Sequence, residues 1–140
     1  MPETARGYVH DTITLGWEER IKARGRRRTD GGVEFGTTLP RGTVLQDGDC
    51  FVFDEHRLRV AVVARREPVF VIKPATPAEW GLFAYQIGNS HQPLMFTEHE
   101  IVCPAVPGLE PVLSYHRIPY APGLRAFTPV AQGPGHEHRL

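Results

Sequence analysis

The sequence predicts an α+β chain of two domains, and three observations carry that reading. Strand-period alternation and turn residues run from Tyr8 to Arg66 without a convincing helix. Glu67-Pro68 then interrupts the pattern, because proline lacks a backbone donor and restricts the residue before it. Beyond it, a helix with both ends specified lies among apolar runs of strand length.

In the first half, Ile13, Leu15 and Trp17 alternate with Thr12, Thr14 and Gly16, the period of a half-buried strand. Turn residues follow at Asp30-Gly31-Gly32, Leu39-Pro40-Arg41-Gly42 and Asp47-Gly48-Asp49. Cys50 to Phe53, the polar turn Asp54 to Arg57, and Leu58 to Ala64 read as a β-hairpin. A small all-β domain is predicted over residues 1–67. One stretch stands out: Arg20 to Arg28 places six positive charges in nine residues. Glu18 and Glu19 directly precede it and no aromatic residue interleaves for base stacking, so it reads as a solvated loop or a docking surface for an acidic protein.

In the second half, Val69 to Ile72 is an apolar strand. Thr76-Pro77-Ala78-Glu79 supplies an N-cap, a first-position proline and the acid of a capping box. Trp80, Phe83, Ala84 and Ile87 then mark one buried helix face, and Gly88 is predicted to end the helix in the left-handed conformation. Pro93 to Phe96 and Glu100 to Cys103 read as two short strands or one interrupted strand. Leu109, Val112, Leu113 and His116 mark a second helix, and Leu124 to Phe127 a closing strand. The order βαββαβ predicts a ferredoxin-like domain over residues 68–130, two helices on one face of a four-stranded sheet. Residues 131–140 read as a flexible tail.

Sixteen basic residues balance sixteen acidic ones, which argues against nucleic acid as a partner. No apolar run approaches the ~20 residues of a membrane span, and the N-terminus lacks the layout of a signal peptide, so a cytoplasmic protein without membrane contact is predicted. Cys50 and Cys103 are far apart, without close Cys-x-x-Cys spacing, and read as buried free thiols.

The candidate chemistry is in the histidines. His91 stands just past the first helix, and His136 and His138 flank Glu137 in the tail. Imidazole suits nickel, copper and zinc. A single histidine cannot hold a metal alone, but the helix before it carries Trp80, Leu82, Phe83, Tyr85 and Ile87 around more than one face. That excess of apolar surface suits a subunit contact. Across a two-fold axis two copies of His91 would pair, with His136 or His138 completing the shell. His10, His56, His99 and His116 are scattered and read as structural or surface residues. No His-Glu-x-x-His and no compact three-ligand set is present, so a metallohydrolase is not predicted.

Tyr85-Gln86-Ile87-Gly88-Asn89-Ser90-His91 resembles the Tyr-His-Leu-Gly-Asn-Arg-His signature of the UreE family, the urease accessory nickel metallochaperones. The similarity extends to Leu15-Gly16-Trp17 with Arg20, Lys22 and Arg24, to Leu39 and Leu45 to Asp49, to Ala126 to Pro129, and to the closing Gly135 to His138. The resemblance implies a peptide-binding-like β domain before a ferredoxin-like metal-binding domain, and a homodimer that holds Ni²⁺ between its two copies of His91. His136 and His138 are implied as secondary ligands, with zinc or copper competing for the site. It further implies delivery of nickel to urease through the accessory GTPase UreG, acting with UreF and UreD/UreH. The chain departs from the signature at Gln86, where many members carry histidine, and at Ser90, where arginine is frequent. Two tail histidines do not suit high-capacity storage. A competing reading is a non-metal module, in which the β domain binds peptide and the Arg24 to Arg28 loop docks an acidic protein.

Overall fold

The structure, a computed structural model, describes residues 7–130 and 137–139. These form two compact units, one of residues 7–65 with Glu137–Arg139, the other Arg66–Val130.

In the first unit, β1 (Val9–Leu15) runs parallel to β5 (Leu58–Ala64), and β4 (Cys50–Phe53) pairs antiparallel with β5 as the predicted hairpin. A short strand, which we number β10 (Glu137–Arg139), lies parallel to β4, giving the sheet order β1-β5-β4-β10. β2 (Arg24–Arg28) and β3 (Glu34–Thr38) form a separate antiparallel pair. Alternation sends Ile13, Leu15, Val60 and Val62 inward, where they meet Phe35, Leu39, Leu45 and Phe51. Phe35 sets its ring edge-on to Phe51 and Phe53, with centroids 5.2 and 5.1 Å away.

Two expectations change here. Trp17 does not continue the first strand but opens a helical turn, α1 (Trp17–Arg20), where no helix was predicted. The Glu19 carboxylate accepts from the Gly16 N–H at 3.3 Å, tying the turn's start. The basic run is not a loop either. Its last five residues are β2, and two of its arginines are buried for structural reasons. Arg20 Nε and Nη1 each donate at 3.3 Å, to the Leu15 and Leu45 carbonyls. Arg27 donates to Thr37 Oγ1 at 3.0 Å and to the carbonyls of Glu19 and Lys22 at 3.1 and 2.7 Å. A guanidinium with several fixed donors suits such a role, and Arg27 ties the carbonyls around the end of α1 to β2.

In the second unit, β6 (Arg66–Ile72), α2 (Pro77–Asn89), β7 (Met95–Phe96), β8 (Ile101–Pro104), α3 (Leu109–Tyr115) and β9 (Ala121–Ala126) follow in order. The sheet order is β7-β8-β6-β9, with every neighbouring pair antiparallel. This is the split βαβ arrangement of the ferredoxin-like fold. Glu67 and Pro68 lie inside β6 rather than before it, and β9 begins at Ala121, before the Leu124 expected. Ile72, Phe83, Ile87, Ile101, Leu109, Leu113 and Ile118 form the core. Both cysteines are buried free thiols, and burial pushes the Cys103 thiol up to about 12.

Candidate metal centre

α2 positions His91, and both its ends are specified. The Thr76 hydroxyl accepts from the Glu79 N–H at 3.1 Å with Pro77 at the first helical position, as predicted. The Glu79 carboxylate reaches one residue further back than a capping box requires, accepting from the Ala75 N–H at 2.8 Å.

The other end differs from the sequence reading in an informative way. Gly88 is not the left-handed residue; it stays helical, α2 continues to Asn89, and Ser90 is the C-cap. The left-handed residue is His91, with φ of 59°. Its N–H donates to the Gly88 carbonyl at 3.0 Å, and the Gln92 N–H donates to the Ile87 carbonyl at 3.2 Å. Those two bonds define a Schellman motif with His91 in the place usually held by glycine. The Ser90 hydroxyl donates to the Gln86 carbonyl at 2.9 Å, a second bond beside that from the Ser90 N–H at 3.2 Å. Pro93 then prevents the helix from resuming.

His91 is solvent-exposed, and its imidazole has no hydrogen-bond partner among the described residues. On α2, Phe83 and Ile87 face the core while Leu82 and Tyr85 remain 54% and 63% exposed. Phe96 on β7, 48% exposed, lies against Trp80 with ring centroids 6.4 Å apart. An apolar surface thus accompanies the helix that leads to His91.

Of the other candidate ligands, His136 lies outside the described residues, as do residues 131–135 of the expected tail. His138 is placed by its backbone alone, in β10 opposite Phe51 of the first unit. Among the described residues no three His, Cys, Asp or Glu side chains gather into a metal-sized cluster. His10 and His56 are exposed, and His99 is exposed with Nε2 3.9 Å from Glu98 Oε1. His116, the C-cap of α3, sets its ring edge-on to Tyr115, centroids 4.9 Å apart. The signal that sequence reasoning missed is Pro93. A proline shortly beyond a helix end is common, and it would have moved the expected stop past Gly88 toward His91.

Residues 2–65 match the family model for the UreE urease accessory protein N-terminal domain, and residues 67–139 match that for the C-terminal domain. The chain is 35% identical over 126 residues to the urease accessory protein UreE of Lysinibacillus sphaericus, covering 90% of this chain and 84% of that protein. It is 34% identical over 129 residues to UreE of Burkholderia ambifaria, covering 91% of this chain but 63% of that protein, less than two thirds of its length. Against UreE of Streptococcus thermophilus it is 32% identical over 113 residues, covering 81% of this chain and 75% of the relative. Two domain models matched in sequence order, together with a two-unit α+β architecture, establish that the chain belongs to the UreE urease accessory protein family.

Proposed function

We propose that this protein, a member of an accessory family and not an enzyme, is a nickel metallochaperone of urease maturation that binds Ni²⁺ between the His91 side chains of two copies. The observation that carries this reading is the backbone of His91. A non-glycine residue in the left-handed region costs about 1 kcal/mol, and here no side-chain bond repays it. An exposed imidazole held at a position that glycine would occupy more cheaply points to a ligand. The exposed Leu82, Tyr85 and Phe96 support a two-fold contact on the same unit, which is self-complementary and pairs a residue near the axis with its own copy.

Two imidazoles leave coordination positions open, as a site that must release its cargo requires. His136 and His138 from the tail serve as secondary ligands. In this reading the first unit is a peptide-binding-like domain, the second unit, which begins at Arg66 rather than after residue 67, is the metal-binding and dimerisation domain, and residues 131–140 supply the tail histidines. The partners are the accessory GTPase UreG and the urease maturation complex in the cytoplasm. Copper(II) binds nitrogen ligands more tightly than nickel does, so copper and zinc compete and delivery depends on metal availability.

Calorimetric titration of nickel into the purified protein tests the reading, with His91→Ala beside the unmodified chain. The variant is expected to lose more than the ~10- to 100-fold in affinity that removing an outer-shell partner costs. Affinity is also expected to fall as the solution is acidified, because protons and nickel compete for the same imidazole lone pair. Equal affinity in the two proteins would refute the assignment.

A further inference from the structure

The charges of the basic run divide into two sets. Arg20 and Arg27 are buried and bonded to carbonyls, whereas Lys22, Arg24, Arg26 and Arg28 are exposed. The backbone register makes the second set more than a solvated face. Ala23 accepts from the Leu39 N–H and the Thr29 N–H donates to Val33, both at 2.8 Å, so the odd-numbered residues between them bond to β3. In an antiparallel pair the intervening residues turn their N–H and C=O groups the other way. Those residues are Arg24, Arg26 and Arg28, and among the described residues β3 is the one strand paired with β2.

A cleft of about 500 Å³ follows this edge, which β1 closes just beyond Arg28, where the Asp30 N–H donates to the Thr12 carbonyl at 2.8 Å. All five β2 residues line it, and Thr14, Lys22 and Arg65 contribute to its wall. Two carboxylates temper the positive charge. Glu19 reaches Arg65 at 3.4 Å and Glu34 reaches Arg26 at 3.9 Å, both as exposed pairs of the kind that contribute little. Arginines guard an open edge against apolar strands. They do not guard it against an acidic one.

We propose that β2 accepts an extended acidic segment of a partner protein as a third strand. The backbone of that segment pairs with Arg24, Arg26 and Arg28, and carboxylates at alternate positions meet their guanidinium groups. Side chains on one face of a strand recur every ~6.7 Å, so alternating acids match alternating arginines in register. A nucleic acid fits less well. Phosphodiesters have no donor for the edge carbonyls, and the residues lining the cleft include no aromatic ring on which a base could stack. The surface belongs to the first unit and its occupancy does not depend on His91.

The test uses the full chain and a fluorescein-labelled peptide of about eight residues alternating Glu and Val, long enough for one strand. Binding is expected by anisotropy, with affinity at least about tenfold weaker in Arg24→Glu/Arg28→Glu. In the unmodified protein, amide exchange at Arg24, Arg26 and Arg28 is expected to slow when peptide is added, a readout that needs no variant to fold. Arg26→Pro removes one outward N–H without touching a β3 bond, so it is expected to bind the peptide more weakly than Arg26→Ala. Equal binding by the charge-reversed variant, unchanged exchange at the three amides, or tighter binding of a single-stranded DNA of matched charge would each overturn the proposal.

Discussion

The two helices of the second unit end in the same backbone pattern, on a left-handed residue that is not glycine, and they use it differently. At α3 the Arg117 N–H donates to Ser114 at 3.2 Å and the Ile118 N–H to Leu113 at 2.8 Å, with Arg117 at φ of 54°. At α2 the equivalent residues are His91 and Gln92. After α3 the chain places Ile118, 3% exposed, in the core beside Leu113, the apolar contact that often accompanies this motif. After α2 the same position holds the half-buried, polar Gln92. One helix end tucks the chain into the core. The other holds a side chain out of it.

The largest expected effect separates the residues that follow the two left-handed positions. Ile118→Ala removes a buried side chain and is expected to cost about 2–5 kcal/mol in chemical denaturation. Gln92→Ala removes no core volume and is expected to stay within about 0.5 kcal/mol. If Gln92→Ala proved as damaging as Ile118→Ala, the α2 end would be a packing device too, and the contrast would fail.

A smaller effect addresses the left-handed residues themselves. Glycine relieves the strain at φ near 55° but adds freedom to the unfolded chain, so His91→Gly and Arg117→Gly are each expected to stabilise by about 0.5–1 kcal/mol. Thermal melts of the metal-free proteins measure this. Nickel titration then distinguishes the two sites, with the metal lost in His91→Gly and retained in Arg117→Gly. Retention in both would mean that the α2 end presents nothing of consequence.

The same helix ends show where the sequence was legible. The start of α2 could be read because Thr76, Pro77 and Glu79 act through local bonds at fixed spacing. Its end was misplaced by three residues because Gly88 is the residue that most favours a left-handed conformation, yet the conformation falls on His91, whose preference for it is weak. The buried face of α2 followed from periodicity, and the βαββαβ element order from periodicity together with cap and proline signals. β2 was hidden for the opposite reason. Its inward residue is an arginine whose buried guanidinium is satisfied by the carbonyls of Glu19 and Lys22, and no alternation of apolar and polar residues records that. His91 is a candidate ligand on the strength of residue type and helix position. Its presentation in a Schellman motif depends on hydrogen bonds that no spacing rule specified.

The smallest effect concerns Ser90, at the C-cap. Its hydroxyl bonds the Gln86 carbonyl, whereas His116, its counterpart at α3, faces Tyr115 instead. Ser90→Ala is expected to cost no more than about 0.5–1 kcal/mol, because the same carbonyl also accepts from the Ser90 N–H at 3.2 Å and is not orphaned. Nickel affinity should change by less than about twofold. The reason is that the conformation of His91 depends on two backbone bonds, to Gly88 and from Gln92 to Ile87, and neither involves the hydroxyl. A tenfold or greater loss of affinity in Ser90→Ala at unchanged stability would assign the hydroxyl a positioning role. The α2 end would then differ from α3 in how the turn is aimed, as well as in the residue that it carries.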